Sequence, residues 1–507
     1  MSGNKTIAKN TLFLYVRMFF NMGISLYTSR EILRILGVED FGIYTLVGGI
    51  VLLFSILNNA MSSATQRFLN IEIGARNLLK VRKIFSMSIN IHTIIALLIL
   101  ILAETVGIWV LNTKLNIPAD RMHAANIVYQ ISIVITLLEV IRVPYHAVVL
   151  AYERMLFFAV TGICQSIAKL FVVLSLVWFE SFDKLLIYSF LLLLVVVVNN
   201  IVFFYYCVKS FASQVNYLFE RDNMLFKQLL SFSSWSLLGQ AAVLGSTQGV
   251  NILLNIFFGV VANAALGVAN QVYGALFAFV SNAQVAFNPQ VIQRYSNGDK
   301  FGHIQLVLQA SRFSFFLFAI VCCPILIGTD YVLSVWLSSV PIYADDFVKI
   351  ILLSALINSL AGPLWMSAYA VGNIKKYQII LSILTFLSLP IGYIFLKIGY
   401  NPSIVLIVKL IVELCVFIFR VFYFKLTLDV EKKVLISYIT DTLPIFLILI
   451  AMAWLSNLIH VDSLGMFLWY SLISTLFVLI VTLLYGVKKQ ELIIVSNLVK
   501  SRVNETV

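Results

Sequence analysis

The hydrophobic positions of the chain form long runs of about 20 residues or more, separated by short polar segments. Leu, Ile, Val and Phe dominate these runs from Thr11 to Gly486, and the runs lack the alternation of a barrel strand. Each run therefore predicts a membrane-spanning α-helix. The predicted helices are 11–36, 41–61, 83–111, 121–146, 155–178, 183–208, 227–257, 262–290, 303–328, 345–371, 376–397, 401–425, 434–457 and 463–486.

Composition indicates the same fold class. Hydrophobic residues make up 61% of the 507 residues and charged residues only 11%, with a mean hydropathy of +0.98. These values lie far outside the range of soluble domains, so we predict an all-α integral membrane protein of about 14 spanning helices. The net charge of +12 arises from basic residues in the loops. We therefore assign the charge to membrane topology and predict no nucleic-acid partner.

The placement of the basic residues predicts the orientation. Of the 35 Lys and Arg residues, 22 lie in segments on the N-terminal side and seven on the opposite side. The positive-inside rule then places both termini in the cytoplasm.

Two Gly-flanked turns indicate an internal repeat. The stretch RILGVEDFGIYTL at Arg34–Leu46 and the stretch IFFGVVANAALGV at Ile256–Val268 lie 222 residues apart, each between two apolar runs. Pro144 and Pro363, 219 residues apart, each precede a basic turn. Six predicted helices fill one such period, which predicts two parallel six-helix lobes related by an axis along the membrane normal. Chance matching remains the alternative.

The repeat predicts the domain organisation. The N-terminal lobe covers 1–222 and the C-terminal lobe covers 223–430, while 431–507 adds two helices and a cytoplasmic tail. This organisation predicts a binding site between the two lobes.

Basic residues inside predicted spans are the first candidates for this site, because a charge at a helix centre costs about 2.5–3.5 kcal/mol and tends to face a cavity or a partner. The candidates for a cationic cavity are Arg17, Arg142, Lys169, Arg312 and Lys409. For Arg17 the alternative is snorkelling to the surface. For Arg142 and Lys409 it is local pairing with Glu139 and Glu413 on the same helix face.

Neutral polar residues form the second set of candidates. They recur at helical spacing on helices of both predicted lobes: Asn21, Thr28, Gln240, Asn251, Asn263, Asn270 and Asn288. Amides both donate and accept hydrogen bonds, which suits sugar hydroxyl groups. The alternative is that these side chains tie helices together within the lipid.

No motif of an enzyme is present. The five histidines are dispersed, and the sequence contains no HExxH, GxSxG or Walker pattern. We therefore predict a protein that is not an enzyme and that has no metal site and no cofactor. Glu139 and Glu413 are the deep acidic residues that could couple transport to an ion. The cationic-cavity candidates predict a transporter of an anionic substrate. A cation-coupled multidrug exporter is thus the main alternative.

Several motifs carry a resemblance to a known family. They are LGVEDFGIYTL after the first helix, ATQRFLNIEIGARNLLKVRKIFSMS after the second, and the turns at Pro144 and Pro363. With fourteen predicted helices, the chain resembles the polysaccharide transporters of the multidrug/oligosaccharidyl-lipid/polysaccharide (MOP) exporter superfamily, the Wzx-type O-antigen and capsule flippases.

The resemblance implies a MATE/MOP-like fold and a function. It implies that an undecaprenyl-pyrophosphate-linked oligosaccharide moves across the bacterial inner membrane by alternating access, through a cationic cavity that Arg17 fits. It also implies membrane lipids, a polysaccharide polymerase and chain-length machinery as partners. Peptidoglycan-precursor flippases of the same superfamily are a further alternative. They typically carry arginines in helices two and eight, and here helix two has none before Arg67 and helix eight none before Arg294.

Overall fold

The computed structural model describes 2–54, 65, 68–69, 72–73, 77–152, 154–179, 181–219, 222–371, 375–458 and 461–486. At 2–18, 228–241 and 485–486, and at scattered positions of 50–54, 225–226 and 282–296, the backbone alone is described. The secondary structure in these ranges is helical, with no strand. The all-α class predicted from the apolar runs is therefore confirmed.

The helices follow the apolar runs of the sequence. Their bounds are α1 Ser2–Phe54, α2 Leu78–Leu102, α3 Ile108–Thr113, α4 Met122–Ala151, α5 Met155–Ser175, α6 Lys184–Ser210, α7 Ala212–Val215, α8 Asn223–Ser296, α9 Lys300–Ile327, α10 Thr329–Trp336, α11 Ala344–Val371, α12 Lys375–Phe386, α13 Ser388–Ile398, α14 Ser403–Leu428, α15 Lys432–Leu455 and α16 Leu464–Val481. A π-helical turn at Ala103–Gly107 joins α2 to α3.

Within the described residues, ten helical segments are long and apolar enough to cross a membrane. The most apolar one, Leu78–Thr113, has a mean hydropathy of 2.7. The segment Ser403–Leu428 is outside this set because Lys409, Glu413 and Arg420 are spaced along it. The chain thus has the helices of a multi-pass membrane protein.

The two Gly-flanked turns of the sequence share one backbone conformation. Gly37 has φ 80° and ψ 174°, and Gly259 has φ 72° and ψ −168°. This region of backbone space is accessible almost only to glycine, because a Cβ atom would collide with the neighbouring peptide groups. Each glycine therefore bends one long helix, α1 or α8, within one of the two Gly-flanked turns. We call these bends the first joint and the second joint.

The two joints pack against each other. A Cβ atom at Gly42 would collide with the backbone carbonyl of Val260, and one at Gly267 would lie 3.0 Å from Cγ2 of Thr45. The Thr45 hydroxyl lies 3.5 Å from the carbonyl oxygen of Asn263. Small residues on both sides thus permit a close approach of the two helices, as is common where helices meet in membranes.

The described chain forms two compact units. The first unit contains Met1–Gln271, Leu337–Ala344 and Gln378–Val405, and the second contains Val272–Trp336, Asp345–Tyr377 and Leu406–Val507. Both joints belong to the first unit. The lobe boundaries at 222 and 430 remain a prediction of the sequence repeat.

The C-terminal helices α15 and α16 pack on α9 inside the second unit. The Tyr438 and Ser311 hydroxyls are hydrogen-bonded at 2.6 Å, and the thiol of Cys323 lies 3.5 Å from the sulfur of Met452. Near the end of α9, the ring of Phe467 covers Gly328 so closely that a Cβ atom there would collide with it. These contacts are buried and fix both added helices to the second unit.

Candidate functional site

A polar stripe runs along the first helix, as its spacing predicts. The hydroxyl of Ser166, on α5, donates a 3.0 Å hydrogen bond to Oδ1 of Asn21. One turn further along α1, the amide of Gln271 donates to the hydroxyl of Ser25 at 2.6 Å. Polar groups of α5 and α8 therefore meet the stripe in the first unit.

A cation and a further amide extend this stripe. Lys169 follows Ser166 by three residues on α5, and Asn270 precedes Gln271 on α8; both side chains are exposed. A lysine exposed within a spanning helix is costly unless water reaches it. We refer to Asn21, Ser25, Lys169, Asn270 and Gln271 as the helix-one polar face.

Beyond the polar face, the first helix becomes buried. The hydroxyl oxygen of Thr28 is buried and has no hydrogen-bond partner among the described residues. One turn later, the buried carboxylate of Glu31 forms an ion pair of 2.5 Å with the exposed side chain of Arg34. Arg34 is thus paired locally, and the accessible part of the stripe ends before Thr28.

Two of the predicted polar residues meet in a buried chain of amides. The Asn263 amide donates to Oδ1 of Asn251 at 2.6 Å and accepts from Asn255 at 2.9 Å. Asn255 in turn accepts from the backbone N–H of Asn116 at 2.8 Å and donates to its carbonyl at 3.2 Å. Asn255 and Asn263 are fully buried. The chain therefore ties both sides of the second joint to the loop before α4.

An ion-pair clamp holds the first joint. Arg121 donates to both carboxylate oxygens of Asp40, at 2.8 and 2.5 Å, and to Asp183 at 2.7 Å. Asp183 also caps α6 by accepting from the backbone amides of Leu185 and Leu186. One guanidinium thus links the turn after the first span to the starts of α4 and α6, with the bidentate geometry that arginine favours.

The two carboxylates of the clamp have opposite pKa shifts. Partial burial raises the pKa of Asp40, and the hydrogen bonds from Arg121 only partly offset it. For Asp183, burial is outweighed by the hydrogen bonds from Arg121 and from the two backbone amides, so its pKa is lowered. Asp183 therefore keeps its negative charge to a lower pH than Asp40 does.

Arg142, a further basic candidate of the first unit, has local partners. The Arg142 guanidinium lies 3.9 Å from Glu139 on the same helix, and it lies over the Phe203 ring at 5.4 Å. Its Nη1 atom is buried without a hydrogen-bond partner among the described residues. This geometry is the helix-face pairing that the sequence offered as the alternative to a cavity role.

In the second unit, Arg312 is buried and forms a 2.7 Å ion pair with Asp441 of α15. Glu413 accepts a 3.2 Å hydrogen bond from the amide of Asn358, and Lys409 lies one turn before it on α14. The side chains of Arg17, Gln240 and Asn288 lie outside the described residues. Their roles remain predictions.

Sequence reasoning missed several residues that complete these clusters. Ser166 and Gln271 were not singled out, although each lies within three residues of a candidate. Asp441 gave a signal of its own, as the one acidic residue within an apolar run of predicted helix thirteen. No local signal links Arg121 to Asp40, because 81 residues separate them.

Comparisons with known proteins place the fold. No protein-family profile matches the sequence, and no curated protein matches it either. Among solved structures, the lipid II flippase MurJ in an inward closed conformation is similar with a TM-score of 0.69 and 15% identity, over 94% of this chain and 98% of that one.

Multidrug transporters are similar as well. A multidrug resistance MATE family transporter of the MOP superfamily matches in its inward-facing conformation with a TM-score of 0.64 and 14% identity, over 82% of this chain and 96% of that one. The outward-facing conformation of such a transporter gives a TM-score of 0.59 at 14% identity, over 83% and 96% of the two chains. The fold is therefore MATE/MurJ-like, which confirms the MATE/MOP-like fold that the sequence resemblance implied. Sequence identities this low do not show the function of the chain.

Proposed function

We propose that the protein is a flippase that moves an undecaprenyl-pyrophosphate-linked oligosaccharide across the bacterial inner membrane by alternating access. One observation carries the proposal: in a chain with the MATE/MurJ-like fold, polar groups of α5 and α8 hydrogen-bond to the polar stripe of the first helix, and the exposed Lys169 lies one turn after the α5 contact. Both termini face the cytoplasm in this proposal, as the loop charges indicate.

The chemistry of the face matches such a cargo. Lys169 supplies a point charge for a pyrophosphate, and Arg17, one turn before Asn21, supplies a guanidinium that can hold it bidentately. Asn21, Asn270 and Gln271 offer donors and acceptors to sugar hydroxyls. The polyprenyl tail remains in the lipid while the head group crosses.

An ion gradient supplies the energy in this proposal, with Glu413 and Glu139 as the coupling acids. Glu413 is held by the Asn358 amide in the second unit, so binding or loss of a proton there changes a hydrogen bond between α11 and α14. A change of that kind can bias a two-state equilibrium between access states. A polymerase and chain-length machinery would consume the product outside.

The proposal is tested with purified protein in liposomes that contain a fluorescent lipid-linked oligosaccharide. Charge reversal at Lys169 or Arg17 is expected to reduce the rate of flipping at least about tenfold, the effect of losing one charge-assisted contact of about 1.4 kcal/mol. The matched control is Lys397→Glu, which reverses an exposed lysine of the same unit outside the polar face. Flipping at the wild-type rate in both variants would refute the role of the face.

The same liposomes separate the two alternatives. Transport of a cationic drug in exchange for protons or sodium, without flipping of oligosaccharide lipids, would identify an exporter like the MATE neighbours. Flipping of lipid II alone would identify a function like that of the MurJ neighbour. In cells, deletion is expected to leave lipid-linked oligosaccharide on the cytoplasmic face, and normal glycan export would contradict the proposal.

A further inference from the structure

A cavity of about 480 Å³ lies inside the second unit, beside the first turns of α9 and α15. One face of α9, the end of α14 with the turn after it, and one face of α15 form its walls. Its polar and charged lining residues include Lys300, Gln305, Arg312, Asp429, Glu431 and Asp441. The proposed transport of oligosaccharide lipids assigns no role to this cavity.

The cavity is a slot with a closed inner end. Lys300 and Arg312 both line it, and twelve residues of helix separate them, which corresponds to about 18 Å. At the inner end, the buried Arg312 is neutralised by Asp441 at 2.7 Å. This ion pair is satisfied within the protein, so the slot ends there without requiring a charge from a ligand.

The wall between the two ends combines apolar side chains with the amides of Gln305 and Gln309, and part of its apolar lining is exposed. Leu308 is buried and Ile304 half-buried, whereas Val434 is exposed. Phe301, at the edge of the slot, is 79% exposed. On a spanning helix such side chains face acyl chains, so the slot is reached from the lipid as well as from water.

The mouth of the slot lies where phospholipid head groups are expected. Exposed Lys432 and Lys433 begin α15 next to Glu431, and lysines at the ends of spans mark the membrane–water interface. Among the residues that line the slot itself near its mouth, there are two carboxylates, those of Asp429 and Glu431, and one ammonium group, that of Lys300, whereas Lys432 and Lys433 are not lining residues. This balance disfavours a purely anionic head group and favours one that carries both a phosphate and an amine.

We propose that the slot binds a phospholipid with an ethanolamine head group. Lys300 contacts the phosphate, Asp429 and Glu431 contact the ammonium group, and one acyl chain lies against Ile304 and Leu308. The lipid bridges α9 and α15 and so stabilises the attachment of the C-terminal helices. The site is in the second unit, whereas the helix-one polar face is in the first, and its occupancy does not depend on the transported cargo.

The test uses the purified full-length protein and two lipids with identical acyl chains, phosphatidylethanolamine and phosphatidylglycerol. Native mass spectrometry is expected to show preferential retention of phosphatidylethanolamine, and this lipid is expected to raise the unfolding temperature more. Replacing both acids, Asp429→Asn with Glu431→Gln, should reduce the preference about fivefold, the effect of removing charge at a head-group site. Asp462→Asn, an exposed acid of the same unit outside the slot, is the control and should leave the preference unchanged.

A second pair of variants tests the acyl-chain position and remains informative if the double variant does not fold. Ile304→Trp fills the slot and should abolish lipid retention. Phe313→Trp, at an exposed position of the same helix outside the slot, should not. Equal retention of the two lipids, preference for phosphatidylglycerol, or full retention in Ile304→Trp would overturn the proposal. Each measurement is independent of flipping, so failure of the transport proposal leaves it unaffected.

Discussion

The two joints have the same backbone and different chemistry. Gly37 and Gly259 adopt nearly the same φ and ψ, yet the first joint is held by an ion-pair clamp and the second by buried amides. Both supports come from one loop, which contributes Asn116 to the second joint and Arg121 to the first. The conformation is therefore set by glycine, whereas the side chains that stabilise it differ between the two joints.

The contact between the joints should be the most sensitive point of this comparison. Gly42→Ala places a Cβ atom against the carbonyl of Val260, and backbone at this position cannot move aside cheaply. We expect the free energy of unfolding to fall by about 3 kcal/mol or more. The loss is measured as a large fall in unfolding temperature and in the yield of monodisperse protein. Gly48→Ala, six residues on with no atom within 4 Å of the added Cβ, is the matched control. Equal stability of the two variants would contradict the close contact.

The glycines of the joints should then show equal effects despite their different surroundings. No atom lies within 4 Å of an added Cβ at Gly37, and only Asn116 approaches it at Gly259, at 3.9 Å. Gly37→Ala and Gly259→Ala should therefore each lower the free energy of unfolding by about 2 to 3 kcal/mol through backbone strain alone. Thermal unfolding measures this loss. Gly23→Ala, at an open helical position of α1, should have no such cost. Unequal losses would show that the joints differ in backbone strain.

The supports of the joints should differ in their response to salt. Arg121→Gln removes the partly exposed clamp and Asn255→Ala breaks the buried amide chain; each is expected to cost about 1 to 2 kcal/mol. High salt should reduce the cost of Arg121→Gln, because ions screen a partly exposed pair, and leave that of Asn255→Ala unchanged. Unfolding temperatures at low and high salt measure the difference. A salt response of the same size in both variants would remove the distinction between the supports.

The smallest expected effect is a difference in stability between variants of the two clamp carboxylates, Asp40 and Asp183. The lowered pKa of Asp183 means that its contribution to stability is present above the ordinary pKa of about 3.9 and is lost as pH falls below it. The raised pKa of Asp40 acts in the opposite direction, because its folded state binds a proton more readily. At neutral pH, Asp183→Asn should therefore cost more than Asp40→Asn, by less than about 1 kcal/mol.

A pH series of unfolding measurements checks this order. The difference in stability between the two variants should narrow as pH falls from 6 toward 3.5. Asp40, with its raised pKa, is protonated first, and the contribution of Asp183 begins to be lost only below its ordinary pKa of about 3.9. Asn at position 183 can still cap α6, so the comparison isolates the charge. A gap that widens at low pH would contradict the assignment.

The added C-terminal helices show where prediction from sequence stops. Their apolar length predicted two spans, and both are present as α15 and α16. The ion pair that attaches α15 was not predicted, because Arg312 and Asp441 are 129 residues apart and each is locally an isolated charge in an apolar run. Arg312 has its observed partner at the closed end of a slot, and its candidate role in a cationic cavity remains a prediction.

The sequence by itself determined the helical class, the spans and the positions of both joints. These features depend on local physics: the length of an apolar run, and a backbone conformation that glycine alone adopts readily. It also indicated the polar stripe on the first helix, because helical spacing places Asn21, Ser25 and Thr28 on one face.

Only the tertiary structure decided what each polar group contacts. It placed Asn251 and Asn263 in a buried chain, and it left Asn270 and Lys169 exposed. Sequence spacing assigns residues to a helix face but does not reveal the neighbour of that face. The partners come from helices far apart in the chain, and packing selects among them.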